Sequence, residues 1–397
     1  MAPGVPWHGP GMKRGLALLL LAYILSQFYR AFLAVLAPAL LADLGRTPAD
    51  LSFASGVWFL SFAAMQIPVG MALDRIGPRR SSAVLLGLAG GGGAALFATA
   101  GAAWQITVAM ALIGAGCAPV LMASYYIFAR VYRPAVFATL ASVLVGVGSL
   151  GNIAASVPLG LAAEAIGWRG ALWALSGITI ATALGCWAFV RDPEALGGPA
   201  RGSLRDVLRI RAVWFVAPML LVNYAPAAAL RGLWAGPYVA EFHGAALVGP
   251  VTFAMGVAMI VGNLLYGPLD RLLGTRKWVV LGGNLLAAVA CAAMWLVPVP
   301  PLTATVALFA AIAAFGSSYA MSMAHGRAFF PPHLVGRGVT FLNLCSIGGV
   351  GIMQFATGPL FEAAGGGAAG YRVVFATFAL ALVAGCAIYA FAPDRRD

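Results

Sequence analysis

The sequence predicts an all-α polytopic membrane protein, with twelve transmembrane helices in two six-helix parallel repeats. Three observations carry this. Hydrophobic residues make up 62% of the 397 residues and charged residues 9%, with a mean hydropathy of +0.92; a soluble globule needs roughly 25% charged residues to hydrate its surface. Apolar runs long enough to cross a hydrocarbon core of about 30 Å recur along the chain, unlike the short alternating segments of a membrane β-barrel. Charged landmarks also return at a nearly constant spacing.

Cutting at charges, prolines and polar clusters centres the spans near residues 29, 62, 91, 115, 147, 179, 223, 259, 288, 313, 349 and 382. The first run, Gly15 to about Ala42, is too long for a signal-peptide core. The expected organisation is an N-terminal tail (1–14), a six-helix half (15–190), a linker (191–211), a second six-helix half (212–392) and a short tail (393–397). Of the 24 Lys and Arg, 19 fall on the side of the tails and linker, whereas Arg46, Arg169 and Arg372 lie opposite and Arg30 and Arg231 sit within spans. The positive-inside rule then puts both termini in the cytoplasm, in a plasma membrane such as the bacterial inner membrane. The net charge of +12 is therefore a topology signal and not a nucleic-acid-binding face. Cys117, Cys186, Cys291, Cys345 and Cys386 all lie in apolar runs without a CxxC, so neither a disulfide framework nor a metal site is expected.

Asp74-Arg75 returns as Asp270-Arg271, Arg130…Pro134 as Arg327…Pro331, Gly167-Trp168-Arg169 as Gly370-Tyr371-Arg372, and Glu164 as Glu362, at offsets of 196, 197, 203 and 198 residues. Six is even, so both halves enter the membrane in the same direction, and a substrate site is expected between such repeats near the midplane.

Gly70-Met71-Ala72-Leu73-Asp74-Arg75-Ile76-Gly77-Pro78-Arg79-Arg80 resembles the loop signature of the major facilitator superfamily, and Gly267 through Lys277 is its second-half copy, with the glycine displaced by one residue. The resemblance covers nearly the whole chain after Lys13. It implies the twelve-helix transporter fold and a gating charge network drawn from Gly70, Asp74, Arg75, Gly77, Arg79, Arg80, Asp270 and Arg271, which favours the outward-open state. Gly70 is expected to let span 2 approach a neighbour closely. The alternative is that these residues only enforce topology and cap helix ends.

Within the spans, Arg30 lies 15 residues after Gly15, about 22 Å along a helix, and so near mid-bilayer. An arginine there costs at least about 2.5 kcal/mol and normally faces a cavity or a partner. Tyr23, Gln27 and Arg30 form one stripe at i, i+4, i+7. No acid stands at similar depth, so an anionic ligand is the expected partner; the bland alternative is that Arg30 bonds helix carbonyls. Tyr29-Arg30 through Ala37-Pro38 to Asp43-Leu44-Gly45 resembles the anion:cation symporter branch, although Tyr29 replaces the aspartate that branch carries. Asn223, Ala227, Arg231 and Trp234 line span 7. Arg231, about 12 Å outward of the span centre, either snorkels to the interface or makes a second anion contact. Tyr125, Tyr126 and Ser322 are further substrate-contact candidates, and His325 a proton-relay candidate. Asn152, Asn263, Asn343 and Gln354 are expected mainly to bond between helices. Gly90 to Gly93, with Gly146, Gly148 and Gly151, are expected to permit close helix contacts.

The expected function is secondary active transport of a small organic anion or zwitterion, with proton coupling an option, by a monomer in the lipid bilayer without cofactor. A broad-specificity exporter is the nearest rival. Met255/Met259 and Met321/His325 pair soft ligands as in copper importers, though core packing is their default; a receptor on the same scaffold is a further alternative. An enzyme is not expected: the histidines are scattered, and no HExxH, GxSxG or phosphate loop is present.

Overall fold

The computed structural model describes residues 10–45, 47–132, 140, 143–193, 204–297, 299–331 and 334–395; among these the chain is nearly all helical, with no strand. Span 1 is a bent pair, Arg14–Phe28 and Phe32–Leu44, meeting at 46°. Spans 2, 3 and 4 are Pro48–Leu73, Pro78–Ala98 and Ala103–Phe128. Spans 7 to 12 are Val213–Phe242, Ala245–Leu269, Lys277–Leu296, Leu302–Arg327, Arg337–Ala363 and Gly367–Tyr389. Between these groups, the helical stretch Val157–Phe189 breaks at Gly167, with φ 72 and ψ 159, a conformation glycine tolerates at little cost. Residues 168–189 are therefore span 6. Residues 157–166 continue the apolar helix Val143–Ala154 as span 5, part of which lies outside the described residues. The loops near 46, 167 and 365 mark the end called outer, following the charge pattern.

Several spans break inside the apolar region, where a break turns helix ends inward. Span 1 breaks at Tyr29–Ala31 with neither proline nor glycine, and the Tyr29 hydroxyl is held by Thr179 Oγ1 of span 6 at 2.8 Å. Span 7 breaks at Tyr224, ahead of Pro226, which has no N–H to offer. It then makes a π-helical turn at Leu230–Trp234. Span 10 turns at Gly316–Ser318 between Leu302–Phe315 and Tyr319–Arg327.

The chain forms two compact units, Met1–Arg30 with Ser61–Gly197, and Ala31–Leu60 with Gly198–Asp397. In the first, small residues bring helices together. A Cβ on Gly116 would lie 2.2 Å from Gly90 N, and one on Gly151 would lie 1.9 Å from Ile24 O. Gly148 packs under the Tyr23 ring, while Gly146 and Gly92 have open space and fall outside that expectation.

In the second unit the outer halves of spans 1 and 2 pack on spans 7 and 11. A Cβ on Gly236 would sit 1.7 Å from Ala34 O, and one on Gly56 would sit 3.2 Å from Gly351 O, so close packing of small residues makes the seam. Ser52 Oγ donates to Gln354 O at 2.6 Å. Gln354 Nε2 donates to Ser55 Oγ at 3.2 Å and Ala229 O at 3.3 Å. At the rim Thr47 Oγ1 donates to Glu362 Oε1 at 2.9 Å. Below lies an aromatic core in which Tyr238 and Tyr371 meet edge-on at 4.9 Å and Trp234 Nε1 donates to Thr357 Oγ1 at 3.1 Å.

Candidate functional site

The break in span 1 sets the first candidate. Arg30 follows the last full helical turn and is half-buried, with Cζ 4.8 Å from the Phe62 ring centroid, a cation–π distance. Tyr23 and Gln27 on the same face are buried, so the stripe faces protein, as expected. Gln27 Oε1 has no hydrogen-bond donor among the described residues. Tyr29, where the branch resemblance would place an acid, ties span 1 to span 6 instead. Tyr125 and Tyr126 are half-buried near the end of span 4, and the Tyr126 hydroxyl accepts from Arg130 one turn later, which also stacks on its ring.

In the second unit Arg231 corrects an expectation. It lies within the π-helical turn, eleven residues before Phe242, about 16 Å of helix, and only 3% of it is exposed. Snorkelling to the interface is excluded: Ala225 through Val239 are all buried, so the side chain is enclosed within the bundle. Asn223 and Ser322 are brought together, with Asn223 Nδ2 donating to Ser322 Oγ at 3.1 Å. His325 is fully buried. Its Nδ1 accepts from the Tyr389 hydroxyl at 2.6 Å, and its Nε2 lies 3.0 Å from Pro393 O. Both ring nitrogens are engaged, so pairing with Met321 as a copper ligand is not supported, and the ring fastens the end of span 12 to span 10. Of the polar amides, Gln354 serves the outer seam and Asn343 accepts from Tyr319 at 2.7 Å, whereas Asn263 bonds its own helix at Met259 O.

The loop motif divides likewise. Gly77 has φ 93, and a Cβ there would lie 2.6 Å from Asp192 Oδ1; glycine is required. The Asp192 carboxylate accepts from Arg79 N at 2.7 Å and lies 4.0 Å from Arg79 Nε, capping the start of span 3. Gly70 meets nothing within 4 Å, so close helix approach is not its role. Arg75 and Arg80 are exposed, and the side chains of Asp74, Asp270 and Arg271 lie outside the described residues. Sequence reading missed the matching cap in the second repeat. Asp394 accepts from Thr275 Oγ1, Arg276 N at 3.3 Å and Lys277 N at 3.1 Å at the start of span 9. A signal was present: Asp192 and Asp394 lie 202 residues apart, each beside a proline at the end of a repeat.

Residues 19–231 match the Major Facilitator Superfamily. No curated protein matches the chain. Among solved structures, it is similar to a bacterial homologue of the human lysosomal transporter Spinster, inward-facing and unoccupied, at 20% identity over 98% of each chain with a TM-score of 0.74. It is similar to a D-xylose–proton symporter at 14% identity, over 96% of this chain and 98% of that one, with a TM-score of 0.77. A third likeness is the nucleoside transporter NupG, at 14% identity over 95% and 99%, with a TM-score of 0.73. At such identities these likenesses speak to fold. The family match spans more than half of the 397 residues, on a bundle with the expected repeats, and the chain belongs to the major facilitator superfamily.

Proposed function

We propose that this multi-pass membrane protein carries small organic anions or zwitterions by alternating access, with Arg30 as the principal substrate contact. The carrying observation is a guanidinium near mid-span at a helix break, its face against Phe62. The aromatic contact uses the guanidinium face, while its N–H donors lie in plane, the edge a carboxylate recognises with two bonds. Arg231 is the second contact. It occupies the equivalent register 201 residues later and lies where the Phe32–Leu44 helix packs on the Leu230–Trp234 turn. Opening the outer seam would uncover it to an arriving anion. The loop motif is assigned the gating role, so Asp74→Asn slows turnover while leaving membrane insertion intact. The protein acts as a monomer in the bacterial inner membrane with both termini cytoplasmic, the orientation the charge bias supports.

Uptake into energised vesicles, first with carboxylates and then with organic cations, tests the reading. Preference for anions and its loss in Arg30→Ala are expected. A preference for cations, or unchanged uptake in Arg30→Ala, would overturn the substrate class and leave the transporter assignment standing.

A further inference from the structure

We infer that the second repeat holds a buried site for a small monovalent cation, Na+ by ligand chemistry, built from Asn223, Asn284, Ser318 and Ser322. The inference deepens the transporter reading above by naming a coupling ion for it.

All four residues are 0% exposed, and a chain of hydrogen bonds fixes which way each amide faces. Ser322 Oγ donates to Ser318 O at 3.0 Å, so its oxygen must accept, and Asn223 must present Nδ2 to it, as it does at 3.1 Å. Asn284 Nδ2 reaches Val280 O at 2.8 Å, an oxygen that can only accept, and Ser318 Oγ at 2.9 Å. Both amide donors are thereby committed. Asn223 Oδ1 and Asn284 Oδ1 are left buried with no donor among the described residues. A sealed carbonyl oxygen without a donor is costly; here two such oxygens belong to amides whose Nδ2 groups donate to serines one turn apart, and they call for an electropositive occupant.

The backbone points the same way. Asn223 ends one half-helix of span 7, and Ser318 lies in the turn that follows the Leu302–Phe315 half-helix of span 10. The two breaks meet: a Cβ on Gly316 would sit 2.7 Å from Ala227 Cβ and 3.7 Å from Asn223 O. Each half-helix ends here with its last carbonyls and the negative end of its dipole, the arrangement by which broken membrane helices hold Na+. Every ligand is a neutral oxygen, hard enough for an alkali cation and without a group that takes up a proton near neutrality. Such a site needs no embedded carboxylate, and every Asp and Glu among the described residues lies in a loop or near a span end. A cation bound here would also offset an anionic cargo.

The test is equilibrium binding of radioactive Na+ to purified full-length protein without organic substrate, ionic strength being held with choline chloride. Saturable binding displaced by Li+ is expected, about tenfold weaker in Asn284→Ala and in Ser318→Ala. Na+ should also raise the melting temperature of the wild-type protein saturably, relative to choline at equal ionic strength, and this readout serves if the alanine variants do not fold. Absence of saturable Na+ binding by wild-type protein that melts cooperatively would overturn the site, as would wild-type affinity in Asn284→Ala. Anion uptake that needs Arg30 but ignores Na+ overturns the site alone. Na+ binding without anion uptake overturns the substrate reading alone.

Discussion

Arg30 in span 1 and Arg231 in span 7 occupy matching positions in the two repeats, yet their surroundings diverge. Arg30 sits half-buried at a break, stacked on Phe62; Arg231 is enclosed in a π-helical turn, 3% exposed. The two loop caps show the same divergence. Asp192 takes one backbone N–H and a loose ion pair, whereas Asp394 takes two backbone N–H groups and a hydroxyl. Duplication has kept residue type and register while packing has reassigned the work. The first repeat holds its interior cation nearer the surface, and the second builds its own into the bundle.

The largest expected effect separates the arginines. Arg30→Ala should lower anion uptake about 10- to 100-fold, the worth of a charge-assisted hydrogen bond, with little change in melting temperature. Arg30→Lys should fall between, keeping charge but not the planar fork. Arg231→Ala, the second contact, should lower uptake as well, and unlike Arg30→Ala it should also lower stability by about 1–3 kcal/mol, read from thermal melts, through lost packing. The reverse pattern, a silent Arg30→Ala melt-neutral and uptake-neutral beside a transport-specific Arg231→Ala, would break the comparison.

The repeat, the span order and the mid-span depth of Arg30 were legible in the sequence because each is a one-dimensional signal: apolar length, charge placement and spacing. The fate of Arg231 was not. Its burial depends on the enclosure of the whole segment Ala225 through Val239 by helices distant in the chain, which no local pattern signals. Asn284 was passed over because a single amide in an apolar run reads as a packing residue; its significance lies in a donor chain closed by Ser318 and Val280 from two helices. Gln354 was recognised as an interhelical amide, but its partners Ser52 and Ser55 lie about 300 residues away, a distance no local pattern spans.

A middle-sized effect concerns the outer seam. Gln354 donates to Ser55 and Ala229, while the equivalent position in the first repeat, 198 residues earlier, is Ser156, whose hydroxyl closes on Ile153 O of its own segment. Gln354→Ala removes three long side-chain hydrogen bonds that belong to the closed seam, one accepted from Ser52 Oγ and two donated to Ser55 Oγ and Ala229 O, together about 1–2 kcal/mol, and should raise the open fraction roughly 5- to 30-fold. Faster labelling of an introduced Leu60→Cys by an impermeant maleimide, with the native cysteines replaced, reads this out. Ser156→Ala should leave the rate unchanged; equal acceleration by both would erase the distinction between repeats.

The smallest effect lies at the Asp394 cap, outside the spans. Desolvation pushes its carboxyl upward, but hydrogen bonds from Thr275, Lys277 N and Arg276 N, with the nearby His325, outweigh it and hold the group below its ordinary value. A carboxylate depressed in the folded state contributes stability that is present above its unfolded pKa, about 3.9, and is lost as pH falls through the lower folded value. Because the group is mostly exposed, the contribution is well under about 1 kcal/mol after solvent screening. Wild type and Asp394→Asn should therefore differ by a small, constant margin in melting temperature from neutral pH down to about pH 5, converging only below about pH 4. Convergence nearer neutrality would show that the margin does not come from the Asp394 carboxylate, and would make the second repeat's cap a different device from the first.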